Sequence, residues 1–217
     1  MSFNSQGNRF QRTTPIVLNL IIINGLVWIA QLFLDRSVVF TDTLTYKIAL
    51  FSFNTPEFKP YQLVTHMFAH SSYDQFGNIQ FFHILLNMYG LWMFGTVLER
   101  TWGPKRFLIF YLTCGLAAGV AQGFLVDNGF SVGASGAIMG LLGAFGYLFP
   151  NTQFFIIPFP FPIKAKYLVA IVAAIDLFGG IHPGGPEKIG HFAHLGGLVM
   201  GLVLVIIWNK TNKKTFY

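Results

Sequence analysis

The sequence predicts an all-α membrane protein, a bundle of six transmembrane helices whose short fourth helix starts inside the bilayer. Three observations carry this. The 217 residues are 53% hydrophobic and only 10% charged, too apolar for soluble domains of that length. The hydrophobicity lies in unbroken runs near the ~20 residues that a hydrocarbon core about 30 Å thick requires of a helix. Strongly polar side chains within those runs are few, and they gather toward one end of the bundle.

Apolar runs between polar punctuation place the spans at Pro15–Leu34, Ile79–Leu98, Phe107–Val126, Ser135–Phe149, Ala165–Phe178 and His191–Trp208. The organisation expected is a cytoplasmic amino-terminal segment (1–14), one helical domain (15–208) and a basic tail (209–217). The first run has no small-residue cleavage site after it and reads as a retained anchor. The fourth span covers roughly 22 Å at ~1.5 Å per residue, less than the hydrocarbon thickness. Ser135 at its start therefore lies below the surface, behind the small residues Ser131-Val132-Gly133-Ala134. The fifth span has no glycine face and sits between proline-rich and glycine-rich connections, which predicts the most loosely attached helix.

A net charge of +6 does not point to nucleic acid, because the basic residues are scattered over short loops and tails. With the amino terminus cytoplasmic, Arg9, Arg12, Arg100, Lys105, Arg106, Lys164, Lys166, Lys210, Lys213 and Lys214 fall inside. Arg36, Lys47, Lys59 and Lys188 fall outside, ten against four. The positive-inside bias sets both termini on the cytoplasmic side. The long connection 35–78 is then external, a partly ordered loop at the interface. The single cysteine, Cys114, has no intrachain partner and reads as packing.

A polar side chain within a span costs a few kcal/mol at the bilayer centre, so each needs a reason. Beside Asn19, Asn24, Gln31 and Gln122, these are His83, Asn87, Ser135, Asp176, His191 and His194, all toward the outer side. His83 and Asn87, four apart, share a helix face. Gly190, His194, Gly197 and Gly201 fall within about 60° of one another on the sixth span. Gly136, Gly140 and Gly143 line the fourth span beside Ser135. Small residues let membrane helices touch, so a contact between these faces would join Ser135 to His194, a nucleophile to a general base. His191 and His194 have metal-binding spacing, but no third ligand is apparent and no metal is expected. Asp176 invites a third catalytic member, but a carboxylate at a helix end reads first as one facing water.

These residues resemble the rhomboid family of intramembrane serine proteases across all six spans. Gly133-Ala134-Ser135-Gly136 is similar to the family's G-x-S-G serine motif, and Ala193-His194-Leu195-Gly196-Gly197 to its histidine motif. His83-x-x-x-Asn87 resembles the second-helix motif, and Asp176-Leu177-Phe178-Gly179 the end of the fifth helix. The resemblance implies a Ser135–His194 dyad without an essential acid, and an oxyanion held by His83, Asn87 and the Ser135 backbone N–H. It implies a serine endopeptidase that cuts transmembrane segments of other membrane proteins toward the outer face, without metal or organic cofactor. Its partners would be transmembrane substrates and the lipid bilayer, not nucleic acid, and its place the cell (inner) membrane. Three features depart from the family pattern, one of them Met139, one turn after Ser135, where relatives often carry an aromatic residue. Tyr61-Gln62 stands where many relatives carry Trp-Arg, and residues 71–80 look like an insertion. The alternatives are a small polar-core transporter, which lacks paired acids through the bilayer depth, and a catalytically inactive rhomboid-like scaffold, which loss of Ser135 or His194 would favour. Both residues are present.

Overall fold

A computed structural model describes residues 14–36, 39–74, 76–127, 129–155, 161–181 and 190–211. The amino-terminal segment through residue 13, the tail from residue 212, and residues 156–160 and 182–189 of the proline-rich and glycine-rich connections lie outside the described residues. The chain runs through α1 (Pro15–Leu34), α2 (Leu44–Ile48), the strand β1 (Leu50–Phe51), α3 (Gln62–Thr65) and α4 (Phe81–Trp102). It continues through α5 (Pro104–Leu125), β2 (Phe130–Ser131), α6 (Ser135–Leu148), the β3–β4 pair (Gln153–Phe154 and Ile163–Lys164), α7 (Ala165–Ile181) and α8 (His191–Thr211).

Each predicted span is a helix. Among the described residues α1, α4, α5 and α8 have the length and composition to cross a membrane, while α6, with 14 residues, and α7, with 17, fall short. The boundaries moved most on α4, which runs four residues past the expected end. It absorbs a π-helical turn at Leu91–Gly95 and stops where Gly103 adopts a φ of 80° ahead of Pro104, the first residue of α5. Proline suits that first turn because its missing N–H would have no partner there.

The short helix α6 is the centre of the bundle, with ten of its residues buried. Backbone packs on backbone where it meets α8. A Cβ on Gly197 would lie 1.9 Å from the Gly136 carbonyl oxygen, and one on Gly201 would lie 2.4 Å from that of Gly140. Both are closer than any side-chain carbon tolerates, so hydrogen is the one side chain that permits this approach. On its other side α6 meets α5, where a Cβ on Gly140 would stand 2.5 Å from the Cys114 sulfur. The buried cysteine is thus packing, as expected. In contrast, α7 buries only Ala165 and Asp176.

The polar residues of α1 serve the connection between α1 and α4. Val17, Leu20, Asn24 and Gln31 form its buried stripe. The Gln31 amide donates to the His70 carbonyl (2.8 Å) and to Thr45 Oγ1 (2.6 Å), and its oxygen accepts from the His70 N–H (2.9 Å). Asn24 Oδ1 accepts from His70 Nε2 (2.8 Å). At the opposite end of α1, buried Glu99 of α4 accepts the N–H groups of Ile16 (3.0 Å) and Val17 (2.8 Å). These are N–H groups that a helix start leaves without intrahelical partners. Gln62, at the position where the family pattern differs, ties the loop at three points: it accepts from the N–H groups of Lys59 and Phe51 and donates to the Glu57 carbonyl. Around residues 71–74 and 76–80 the chain is drawn together by the Tyr73–Ile79 bridge and by Asp74, whose carboxylate accepts from Phe76 and Asn78. Those hydrogen bonds hold the exposed Asp74 carboxyl below its ordinary range.

Two histidines of this connection make the fold sensitive to acid. Burial holds His66 down to about 4, outweighing the hydrogen bonds it makes to the Gln62 and Leu63 backbone. Burial, and then the neighbouring His83, hold His70 down to about 3. Both are neutral in the fold and titrate near 6.5 when unfolded. Between that value and the folded ones the unfolded chain binds more protons, so stability falls as the pH is lowered. At pH 5 the loss is about 2 kcal/mol per histidine. The melting temperature in detergent should therefore decline steadily from about pH 7.5 to 5, with a shallower decline in His70→Gln. A flat profile over that window would contradict the burial of both rings.

Candidate active site

Ser135 opens α6, and its hydroxyl sits 2.8 Å from Nε2 of His194, one turn into α8. The glycine contact sets this distance, because the two residues stand at the same end of the locked pair of helices. The first turn of α6 closes through the Ile138 N–H on the Ala134 carbonyl, and the Ser135 N–H, at the first helical position, has no intrahelical acceptor. The segment before it is held by the β1–β2 pair, with Leu50 opposite Ser131, and by the Gly133 N–H on the His66 carbonyl (2.9 Å). Gly133 has a φ of 126°, which glycine alone adopts readily.

Asp176 is not where the sequence reading put it. It is 6% exposed, and its Oδ1 lies 3.0 Å from Nδ1 of His194 and 2.9 Å from Nδ1 of His191. A carboxylate oxygen only accepts, so both Nδ1 atoms carry the hydrogen. The expectation of a water-facing carboxylate is corrected: α7 meets the start of α8 with its last turns, and that register turns Asp176 inward. His191 and His194, spaced as metal ligands, instead share one carboxylate. His194 is left with a bare Nε2 facing the serine hydroxyl, the arrangement a general base needs.

His83 comes to the same place from α4. Its Nδ1 accepts the Ser71 backbone N–H (3.1 Å), so the neutral ring carries its hydrogen on Nε2. A Cβ on Gly133 would lie 3.2 Å from that Nε2 and 3.7 Å from Ser135 Oγ, which puts both atoms around one small volume. Asn87 is buried one turn further along α4, where its amide donates to the His83 carbonyl (2.8 Å). Its oxygen has no hydrogen-bond partner, and the amide is not bonded to Ser135 or His194. Two positioning contacts had no weight in the sequence reading. Gln122 of α5 accepts the Ala193 N–H (3.2 Å) at the start of α8, and the Ser71 N–H sets the His83 tautomer. Gln122 stands among the polar residues within the spans, but nothing in its position announces its partner; a backbone N–H leaves no mark in a sequence.

A family model described as the Rhomboid domain matches residues 57–210. The chain is 35% identical over 137 residues to Rhomboid protein 1, mitochondrial, of Saccharomyces cerevisiae, covering 59% of this chain and 38% of that protein. To Rhomboid protease GluP of Bacillus subtilis it is 36% identical over 120 residues, or 55% of this chain and 22% of that protein. To Rhomboid protease GlpG of Haemophilus influenzae it is 25% identical over 184 residues, or 85% of this chain and 88% of that protein. The chain thus spans well under half the length of the first two and most of the third. Because the matched region takes in α3 through nearly all of α8, every helix that brings a side chain to Ser135 lies within it, and the chain belongs to the rhomboid family of integral membrane proteins.

Proposed function

We propose that this chain is an intramembrane serine endopeptidase that cleaves transmembrane segments of other membrane proteins, with Ser135 as nucleophile and His194 as its base. The observation that carries the reading is the 2.8 Å contact of Ser135 Oγ with a His194 Nε2 left bare by its own tautomer. Ser135 attacks the scissile carbonyl while Nε2 takes the hydroxyl proton; the imidazolium then protonates the leaving amine. Water, admitted where His194 keeps 14% of its side-chain surface exposed, hydrolyses the acyl-enzyme by the reverse transfers. The tetrahedral oxygen is held by the Ser135 N–H, by Nε2–H of His83 and by the second amide N–H of Asn87. The substrate helix must unwind to present a carbonyl, which favours small or helix-breaking residues near the cut.

In this reading the membrane is the cell (inner) membrane, and the termini are cytoplasmic with the serine toward the outer face. The orientation is supported by the ten-to-four distribution of basic residues. Impermeant thiol reagents applied to intact cells should label single cysteines introduced in the connection 35–78, in a Cys114→Ser background, and labelling only after permeabilisation would reverse the orientation.

Ser135→Ala and His194→Ala should each abolish cleavage of a transmembrane reporter and labelling by a fluorophosphonate, while the melting temperature in detergent stays within a few degrees of the parent. Cleavage at the parental rate in either would end the assignment. His83→Ala and Asn87→Ala should lower kcat by about 10², near 3 kcal/mol, because the other donors remain. Parental kcat in one of them would remove that residue from the oxyanion site.

A further inference from the structure

The carboxylate behind His194 has no place in a two-residue mechanism, yet its surroundings hold it in one position. Asp176 is one of only two buried residues on α7. Its Oδ1 takes two imidazole N–H groups, from His194 and from His191. The His191 ring reaches the carboxylate across Gly179, where an added Cβ would lie 2.4 Å from His191 Nε2. Any larger residue at 179 would have to displace that ring. The group is thus built from three positions on two helices, and His194 is the member that touches Ser135.

We infer that Asp176 is a positioning residue: with His191 as its second donor, it holds His194 in the Nδ1–H tautomer that leaves Nε2 free to take the Ser135 proton. This rests on the proposed serine protease reading and extends it beyond the dyad. The alternative tautomer would put a hydrogen on Nε2 facing the serine hydroxyl, where the ring could no longer act as base. Once His194 takes the proton, Asp176 also faces an imidazolium, which a fixed negative charge stabilises. Around His194 the described residues place Asp176 from α7, His191 from its own helix, Ser135 from α6, and His83 from α4, near enough to interact electrostatically. From α5 comes the neutral amide of Gln122, on the Ala193 N–H. Asp176 is the one acid in this group.

The test uses full-length protein in detergent and follows two rates against pH: fluorophosphonate labelling of Ser135, and cleavage of a transmembrane reporter resolved into kcat and KM. Asp176→Asn keeps the shape of the side chain and removes its charge. It should lower the labelling rate and kcat by about ten- to a hundredfold with KM within about twofold. It should also change the pH dependence of both rates, because the imidazolium formed in the reaction loses its counter-charge. Rates and a pH profile superimposable on the parent would overturn the inference. A parent protein that is itself not labelled at Ser135 would instead remove the protease reading, and this inference with it. Should Asp176→Asn fail to fold, nitrogen-15 shifts of histidine-labelled parent protein, assigned by difference against His194→Ala, decide the matter. At alkaline pH His194 should show a protonated Nδ1 and a bare Nε2, and the reverse tautomer would overturn the assignment.

Discussion

Backbone contact between α6 and α8 is the constraint from which the site follows. Lipid tails are as apolar as leucine, so no hydrophobic force draws two helices together within a bilayer, and close packing must supply the attraction. Gly136 and Gly140 present carbonyl oxygens to Gly197 and Gly201 at distances that leave no room for a Cβ. A methyl group at 197 would push the helices apart, and the displacement would appear in full at Ser135 and His194. A hydrogen bond of 2.8 Å does not survive a separation of that order. The dispersion energy of the interface and the geometry of the serine–histidine pair therefore depend on the same few missing side chains.

Polar groups hold the rest of the bundle to this axis, because in lipid an unpaired polar group is costly. Glu99 anchors the first turn of α1 to α4. Gln31 and Asn24 fasten His70 to α1, and from there the chain passes directly to Ser71, whose N–H sets the hydrogen on His83. The His66 carbonyl, in the same stretch, holds Gly133 two residues ahead of the serine. The connection between α1 and α4 is thus a clamp that carries the position of α1 to the site. Its two neutral histidines follow from that role, since their rings lie where water does not reach.

Much of this was legible because bilayers write plainly in sequence. Run length placed all six helices, and α1 ends where the hydropathy ends. The glycine faces of spans four and six predicted their contact and, through it, the meeting of Ser135 with His194. What stayed hidden depended on register between elements. The inward turn of Asp176 follows from how α7 sets its last turns against α8, which no residue of α7 announces. Glu99 sits beside Arg100 at the end of a span and looks like a solvated charge, yet its partners are N–H groups that helix α1 brings from more than eighty residues away. The π turn at Leu91–Gly95 moved the end of α4 without disturbing the apolar pattern.

The fifth apolar helix joins these two lessons. Most of α7 presents apolar side chains outward, among them Ile171, Ile175, Leu177 and Phe178, and a contact of that kind can be exchanged for a lipid tail at little cost. A carboxylate cannot be exchanged so: withdrawn from its partners, it would face hydrocarbon as a bare charge. The hydrogen bonds of Asp176 to His191 and His194 are therefore the selective attachment between α7 and the start of α8. Gly179 against His191 and Gly180 against Phe192 add the close fit that lets them form. The two hydrogen bonds that seat α7 are also the ones that leave Nε2 of His194 bare toward the serine, so the position of the helix and the tautomer of His194 are settled together.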